Sequence, residues 1–403
     1  MEQGVAMISQ RIRQARVAAG MSQDALVAAL AARGVALTKA AVSKYERGGS
    51  VPRATLLKHL GGALGVSAEY FLREPSVTVE WLAFRKRATA GIREQERFQT
   101  MAQECVEAQF DLRDALHIES ESRFPARRMV ATPEDAENAA VALRREWGLD
   151  DLPVESMVEL IEDHDGIVVE IEGAEQTVDG MAGLANGCHA VVVIDPGLSD
   201  DRKRFTLAHE LGHLSMDTSG VATSAGEERL AHRFASAFLV PASIARRELG
   251  VRRSHLSFEE LKILKQKHGL SMQAWLYRAL DCGIIDQPHM NAMFERLSRE
   301  GWRRTEPVEY RGHERPMRFR QMALRAVAEG LVSREKAQKW IPDLDQELGA
   351  PTGGAMTASK LRGLSYEQRS SVLLAAAESA ALVYGNDPAL AQFEVYDDTE
   401  DVL

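Results

Sequence analysis

Hydrophobic residues recur every three or four positions over residues 1–74, a spacing that predicts a bundle of five short helices. Ser22 and Thr38 are suitable N-cap residues for the second and third helices, because their hydroxyls can accept bonds from unpaired backbone N–H groups. Pro52 precedes the fourth helix, and Gly65 separates it from the last one. Helices this short are stable only when packed together, so we expect one small domain here.

The pattern changes after this bundle. Residues 75–130 mix charged residues with short apolar stretches, which predicts a helical connector. Within residues 131–288, a capped helix precedes two β-type runs at 166–171 and 189–195. The segment between these runs, residues 179–183, contains two glycines and favours a turn. We therefore expect a small sheet, partly covered by helices.

Helical patterns return in the last part of the chain. Residues 289–350 predict a helical C-terminal domain, and residues 351–403 predict an Ala-rich helix followed by an acidic tail. Residues 301–320 interleave aromatic rings with arginines, a mixture that can clamp single-stranded nucleic acid as a partner. Glutamates and prolines in the same stretch favour a packed surface loop instead.

Composition narrows the class of protein. Of 403 residues, 45% are hydrophobic and 27% are charged, which excludes a disordered chain, a collagen-like chain and a disulfide-dense secreted scaffold. Three cysteines cannot all pair, and no signal-peptide segment opens the chain, so we expect a reducing, cytoplasmic location. No apolar run approaches the ~18 residues that cross a bilayer, so no membrane contact is expected.

The net charge of −10 conceals a strong asymmetry. Residues 1–73 carry a charge of +6, whereas residues 364–403 carry −7. A basic segment in an acidic chain indicates nucleic-acid contact by that segment. The third predicted helix, residues 39–46, also has the small, hydroxyl and amine side chains that fit a DNA major groove.

The segments MSQDAL and LTKAAVSKYERGG resemble the XRE (lambda-repressor/Cro-like) helix-turn-helix family. The resemblance implies double-stranded operator DNA as a partner, bound by a homodimer. It also implies the residues that touch DNA, which are Gln23, Lys39, Ala40, Ser43 and Lys44. The turn between the second and third helices, at residues 31–36, is longer than is usual in the family. A bundle used for protein contacts is the alternative.

The segment HELGH supplies residues with the spacing of a metal site. His209 and His213 lie at i and i+4 of a predicted helix, so both imidazoles can bind one Zn²⁺ at ~2.0–2.1 Å. Glu210 can act as general base toward a water molecule. A catalytic zinc site usually has three protein ligands. The predicted helix 226–239 places Glu228 above two alanines, so we expect it to be the third ligand.

The segments RFTLAHELGHL and EERLAHRFASAFLVP resemble the ImmA/IrrE family of zinc metallopeptidases, over roughly residues 130–286. The resemblance implies the same Zn²⁺ ligands, His209, His213 and Glu228, with Glu210 as the base. Together the two resemblances imply a multidomain, mainly α protein. Its expected parts are an N-terminal five-helix helix-turn-helix bundle, a small α+β zincin-like HExxH metallopeptidase domain and a helical C-terminal region.

Two further residues are candidates for support or control of this site. His232 stands where the family often has Asn or Asp, one helical turn beyond Glu228, and could support the ligands by hydrogen bonding. Cys188 precedes the strand that leads to the metal helix, and its thiolate could occupy the open coordination position as a switch. A buried, inert cysteine is the alternative.

Two functions from different classes fit these features. The first is a DNA-binding transcriptional regulator with a fused zinc metalloendopeptidase, gluzincin-like and of narrow substrate range. It would cleave this chain or a partner repressor or antitoxin, in a stress, prophage or defence response. For self-cleavage, the expected region is 74–130, because a cut there releases the DNA-binding head. The second is a non-proteolytic transcription factor whose zinc-site domain senses a ligand or partner.

Overall fold

The computed structural model of the chain describes residues 2–86, 92–119, 124–172 and 178–344. The chain divides into two compact units, residues 1–322 and 323–403. The helix and acidic tail expected over residues 351–403 lie outside the described residues. Most of the described residues are helical and a small mixed sheet accompanies them, which confirms the expected fold class.

The helices and strands follow one another along the chain with the following bounds. The helices are α1 (Glu2–Ala18), α2 (Gln23–Ala31), α3 (Lys39–Glu46), α4 (Ala54–Leu64), α5 (Ile92–Ala115), α6 (Pro133–Glu146), α7 (Met157–Asp163), α8 (Asp200–Ser215), α9 (Ser224–Leu239), α10 (Ala242–Leu249), α11 (Phe258–His268), α12 (Met272–Asp281), α13 (Gln287–Arg299), α14 (Arg318–Ala328) and α15 (Arg334–Trp340). The strands are β1 (Val79–Lys86), β2 (Arg128–Met129), β3 (Ile167–Glu170), β4 (Val178–Ala185), β5 (His189–Ile194) and β6 (Met216–Asp217).

The head of the protein, residues 2–72, consists of α1 to α4 and a 3₁₀ helix over Ala68–Leu72. The hydroxyls of Ser22 and Thr38 accept the capping bonds expected of them at the starts of α2 and α3. Leu26 and Val42 are buried in the common core of the bundle. Residues 32–38 separate α2 from α3, which confirms the long turn.

One buried ion pair fixes the head to α5. The Arg11 guanidinium lies 2.7 Å from a Glu107 carboxylate oxygen, and both side chains are buried. Arg11 also donates to the backbone carbonyls of Arg73 and Glu74, where the chain leaves the head. Tyr70 stacks against its guanidinium, with 5.0 Å from Cζ to the ring centroid. This one side chain therefore holds the end of the head, the exit of the chain and α5 together.

The main sheet has the strand order β1-β4-β5-β3. β3 runs parallel to β5, while β4 runs antiparallel to β5 and β1 runs antiparallel to β4. Residues 179–183, for which we expected a turn, lie inside β4. The pairing of β4 on both edges outweighs the local preference of its glycines, which are tolerated in a strand where another group approaches closely.

The connector expected to be helical over residues 75–130 also contributes to this sheet. Its first part forms β1, at the edge next to β4, and its second part forms the long helix α5. β1 joins a sheet whose other strands lie some 80–110 residues further along, and a pattern within the connector alone does not reveal such pairing.

Separate cores cover the two faces of the sheet. On one face, α5 contributes Phe98, Ala102 and Val106 to a core shared with β3, β4 and β5. On the other face, helices α6 to α13 form a larger core, and α8 and α9 lie within it. The sheet is therefore the middle layer of three, and α8 lies directly against it.

The loop between α13 and α14 packs against α7 and α8 through a buried glutamate. Glu314 is fully buried. Its carboxylate accepts hydrogen bonds from the backbone N–H groups of Met157 and Val158, and it forms an ion pair with Arg204 at 2.8 Å. Tyr310 stacks with the same arginine. These contacts favour the packed-loop interpretation over single-stranded nucleic-acid binding. Within the described ranges, no helix is long and apolar enough to cross a bilayer.

From the Arg11–Glu107 pair we predict how removal of the Arg11 charge changes the stability of the protein. Arg11→Met leaves a buried carboxylate without its partner, which costs about 3–5 kcal/mol, so the urea midpoint of unfolding should fall. The exposed Arg13→Met, on the same helix, should change the free energy of unfolding by less than about 0.5 kcal/mol. Partial recovery in Arg11→Met with Glu107→Leu would identify the unpaired charge as the cause. An unchanged midpoint in Arg11→Met would contradict the prediction.

A second prediction concerns stability against pH. Burial raises the pKa of Glu162 to about 7, although the Arg318 charge opposes this shift. The same carboxyl ionises near ~4.3 in an unfolded chain, so between the two values the unfolded state binds fewer protons. Its contribution to stability therefore falls as pH rises from about 4.3 to 7. Glu162→Gln should flatten the fall in the free energy of unfolding over this pH range, whereas Glu134→Gln, exposed on α6, should leave it unchanged.

Candidate metal centre

Helix α8 presents His209 and His213 on one face. It begins after Ser199, and two aspartates in its first turn complement the positive end of the helix dipole. The two histidines are one helical turn apart, and their Nε2 atoms lie 3.2 Å from each other. His209 is fully buried, so its imidazole is held by the core of the protein.

Helix α9 brings Glu228 to the same two imidazoles. Its carboxylate oxygens lie 3.3 Å from His209 Nε2 and 3.5 Å from His213 Nε2. Ala231 and Ala235, on the same stripe as Glu228, are fully buried. Gly212 of α8 faces the Phe234 ring so closely that a Cβ there would lie 3.1 Å from it. Small residues on both helices thus permit the close packing that carries Glu228 to the histidines.

The spacing of the three donor atoms fits a zinc ion. Bonds of ~2.0–2.1 Å in a tetrahedral site put neighbouring ligand atoms about 3.3 Å apart. The three separations here are 3.2, 3.3 and 3.5 Å. Two imidazoles and one carboxylate are also a donor set that zinc accepts with one position left open. The residues present therefore fit the metal that the sequence implies.

Glu210 lies against the backbone of β4. It is fully buried, and a Cβ added at Gly180 would lie 2.9 Å from its Oε1 and 2.5 Å from the Thr206 methyl. Only glycine leaves the room that α8 needs beside the strand at this point. Our sequence reasoning missed Gly180 as a residue of the site, although a glycine within a strand is a signal of close approach.

The two imidazoles stabilise the ionised form of the Glu228 carboxylate. Hydrogen bonds from His209 and then His213 hold the pKa of Glu228 well below its usual value. Burial alone would lower the pKa of His213, but its bond to Glu228 and the charge of Glu210 outweigh burial and raise it. The site thus concentrates negative charge next to nitrogen donors, as a cation site requires.

His232 lies beside the donors, as its sequence position suggested. Its ring centroid is 4.6 Å from that of His209, in an edge-to-face arrangement. Its Nδ1 donates to the Glu228 backbone carbonyl at 2.7 Å, which fixes the ring and leaves Nε2 as the basic nitrogen when the ring is neutral. His232 also lines a cleft of about 490 Å³, together with Phe205 and Tyr277.

Cys188 lies away from the candidate metal donors. It is exposed in the turn that joins β4 to β5, beyond the end of β4 at Ala185. Gly180 marks the point where β4 meets Glu210, and five residues of strand from there to Ala185 span about 16 Å. The structure therefore does not bring this thiol to the metal donors, and the proposed thiolate switch is not supported.

The residues predicted to contact DNA lie on or beside α3 and differ in exposure. Lys39, Ala40 and Lys44 are exposed, whereas Gln23 and Ser43 are half-buried. Lys39 pairs with Asp24 at 2.7 Å, but both side chains are mostly exposed, so this contact is weak and easily exchanged.

Gln23 has an internal partner. Its side-chain amide donates to Glu46 at 2.8 Å, and the same carboxylate pairs with Arg16 at 2.5 Å. These bonds connect α1, the start of α2 and the end of α3. Gln23 therefore helps to orient α3, and direct contact of its amide with a base would require this bond to be exchanged.

Comparison with protein families gives two matches along the chain. A helix-turn-helix family model matches residues 12–71, and the model of the IrrE N-terminal-like domain, peptidase family M78, matches residues 162–280. No curated protein and no solved structure matches the chain. The second match contains both metal-site helices, α8 and α9. The chain thus contains a segment similar to XRE-type helix-turn-helix domains, followed by a segment similar to the IrrE/ImmA-like domain of peptidase family M78.

Proposed function

We propose that this protein is a DNA-binding regulator whose M78 domain is a zinc-dependent endopeptidase of narrow substrate range. Its substrate is a regulatory protein, either this chain or a partner repressor or antitoxin, in a stress, prophage or defence response. The observation that carries the proposal is the triangle of His209, His213 and Glu228 donors, with the Glu210 carboxylate next to it in the chain.

Each residue of the centre has a role in this proposal. His209, His213 and Glu228 hold the metal, and Zn²⁺ bound there would polarise the scissile carbonyl and acidify the attacking water. Glu210 accepts the proton from that water and passes it to the leaving amine nitrogen. The backbone of β4 at Gly180 holds the Glu210 carboxylate in position. His232 orients the metal helix through its contact with His209.

The head supplies the DNA-binding half of the function. We propose that α3 enters the major groove and that Lys39 and Lys44 contact phosphates or base edges. Operator half-sites read by a homodimer fit a head of this size. Cleavage in the connector, or of a partner repressor, would then change operator occupancy.

Glu210→Gln tests the catalytic assignment. We expect the variant to retain zinc, because the three donors are untouched, and to lose at least ~10²-fold in cleavage rate, because the base is gone. His213→Ala should lose both zinc and cleavage. Zinc is measured by elemental analysis, and cleavage by mass spectrometry of this chain and of helix-turn-helix proteins encoded beside its gene.

These measurements separate the two functions. If neither the wild type nor Glu210→Gln cleaves any of these proteins, while DNA binding still responds to the inducing signal, the zinc-site domain is a non-proteolytic sensor. Wild-type protein purified without zinc, and unable to bind it, would overturn both assignments of the site.

A charge-removal pair tests the DNA contact. Lys39→Ala with Lys44→Ala should weaken duplex binding and reduce the slope of log K against log salt by about 2, since each phosphate contact contributes ~0.9. The control, Arg247→Ala with Lys267→Ala, removes two exposed charges from the M78 domain and should leave the slope unchanged. If the wild type and the α3 variant have equal slopes of log K against log salt, α3 is not the DNA-contacting helix.

A further inference from the structure

The sheet edge nearest the metal centre is occupied by the connector. Without β1, the strand β4 would be an edge strand, with β5 on one side and unpaired backbone groups on the other. β1 pairs antiparallel along that side, from Val79 opposite Ala185 to Lys86 opposite Val178. Helix α8, which carries Glu210, contacts both strands.

The register brings the connector to the part of β4 that touches the general base. Phe84 of β1 lies opposite Met181, and Lys86 lies opposite Val178. The bulge between these pairs sets the backbone of Arg85 against Asp179 and Gly180. Because a Cβ at Gly180 would contact Glu210 Oε1, β1 runs one strand away from the candidate catalytic carboxylate.

We propose that this edge of β4 is the peptide-binding edge of the metal centre, and that β1 occupies it as an internal competitor. An extended peptide substrate would take the place of β1, forming the same antiparallel main-chain bonds with β4. This inference rests on the proposed function, because it names how the peptide substrate of that same site is held.

β1 has specific contacts at its first end, and its ladder with β4 is interrupted towards the other. At the first end, the Thr78 backbone N–H donates to the Asn186 side chain and the Thr78 carbonyl accepts from the Asn186 N–H, at 3.1 and 2.8 Å. The Trp81 ring covers Gly183, where a Cβ would lie 2.9 Å from Cε3. Towards the metal centre, two irregularities interrupt the ladder, between Trp81 and Ala83 and between Phe84 and Lys86.

This asymmetry gives the direction of exchange. Bulged pairs leave backbone groups without ladder partners, so the half of β1 next to the metal centre is easier to separate than the half at Trp81. An incoming peptide can therefore pair first beside Glu210 and displace the connector towards its anchor. Weakening the anchor should open the whole edge.

The probe is a fluorescein-labelled peptide, SVTVEWLAFRK, which repeats residues 76–86. Its binding is measured by anisotropy on the full chain carrying Glu210→Gln, so that binding is read without cleavage. Trp81→Ala in the chain removes the anchor over Gly183 and should tighten peptide binding by about tenfold or more, since more molecules present a free edge. Met101→Ala, which packs on the same core from α5, is the matched control and should not tighten it.

A disulfide tests the competition directly. Glu80 lies opposite Leu184, so Glu80→Cys with Leu184→Cys, with Cys105→Ser and Cys188→Ser, should lock β1 to β4 on oxidation. The oxidised chain should not bind the peptide, and reduction should restore binding. Equal binding by the locked and reduced chains, or no tightening in Trp81→Ala, would overturn the proposal. Absence of cleavage by the wild type would instead contradict the proposed function and leave these binding results intact.

Discussion

The contact between α8 and the backbone of β4 at Gly180 is the constraint on which the site depends. One helix carries two imidazoles and a carboxylate on adjacent faces, so its distance from the sheet fixes where all three lie. A methyl group at position 180 would overlap Thr206 and Glu210, at 2.5 and 2.9 Å. The sheet edge and the metal helix therefore form one rigid unit, and a peptide held by that edge would meet the metal donors in a fixed geometry.

The grouping of the three candidate metal donors could be predicted from sequence because their geometry is local. Helical periodicity alone sets His209 and His213 on one face, and the alanine stripe below Glu228 indicates a helix that packs closely. The helices of the head were predictable for the same reason, since caps and apolar spacing act within a few residues. In all these cases, the interactions that decide the structure lie within one or two helical turns.

Long-range pairing was not predictable from the same sequence. β1 is defined by a partner strand about a hundred residues later, and a pattern within the connector alone does not reveal that pairing. The glycines of β4 locally favour a turn, but pairing with β1 on one side and β5 on the other makes the segment a strand. The distance of Cys188 from the metal helix also follows from this pairing, because β4 runs from Gly180, beside that helix, to Ala185, before the turn that holds the thiol.

The short span between the head and β1 has a kinetic consequence. Residues 73–78 join the 3₁₀ helix to the strand and reach at most about 20 Å, and Arg11 holds the first of them against the head. A segment tethered this closely meets its binding edge at an effective concentration on the order of millimolar. A free peptide at micromolar concentration thus competes at about a thousandfold disadvantage. A peptide that displaces β1 must therefore pair with β4 about a thousandfold more tightly than β1 does, which would restrict the sequences that reach the metal centre.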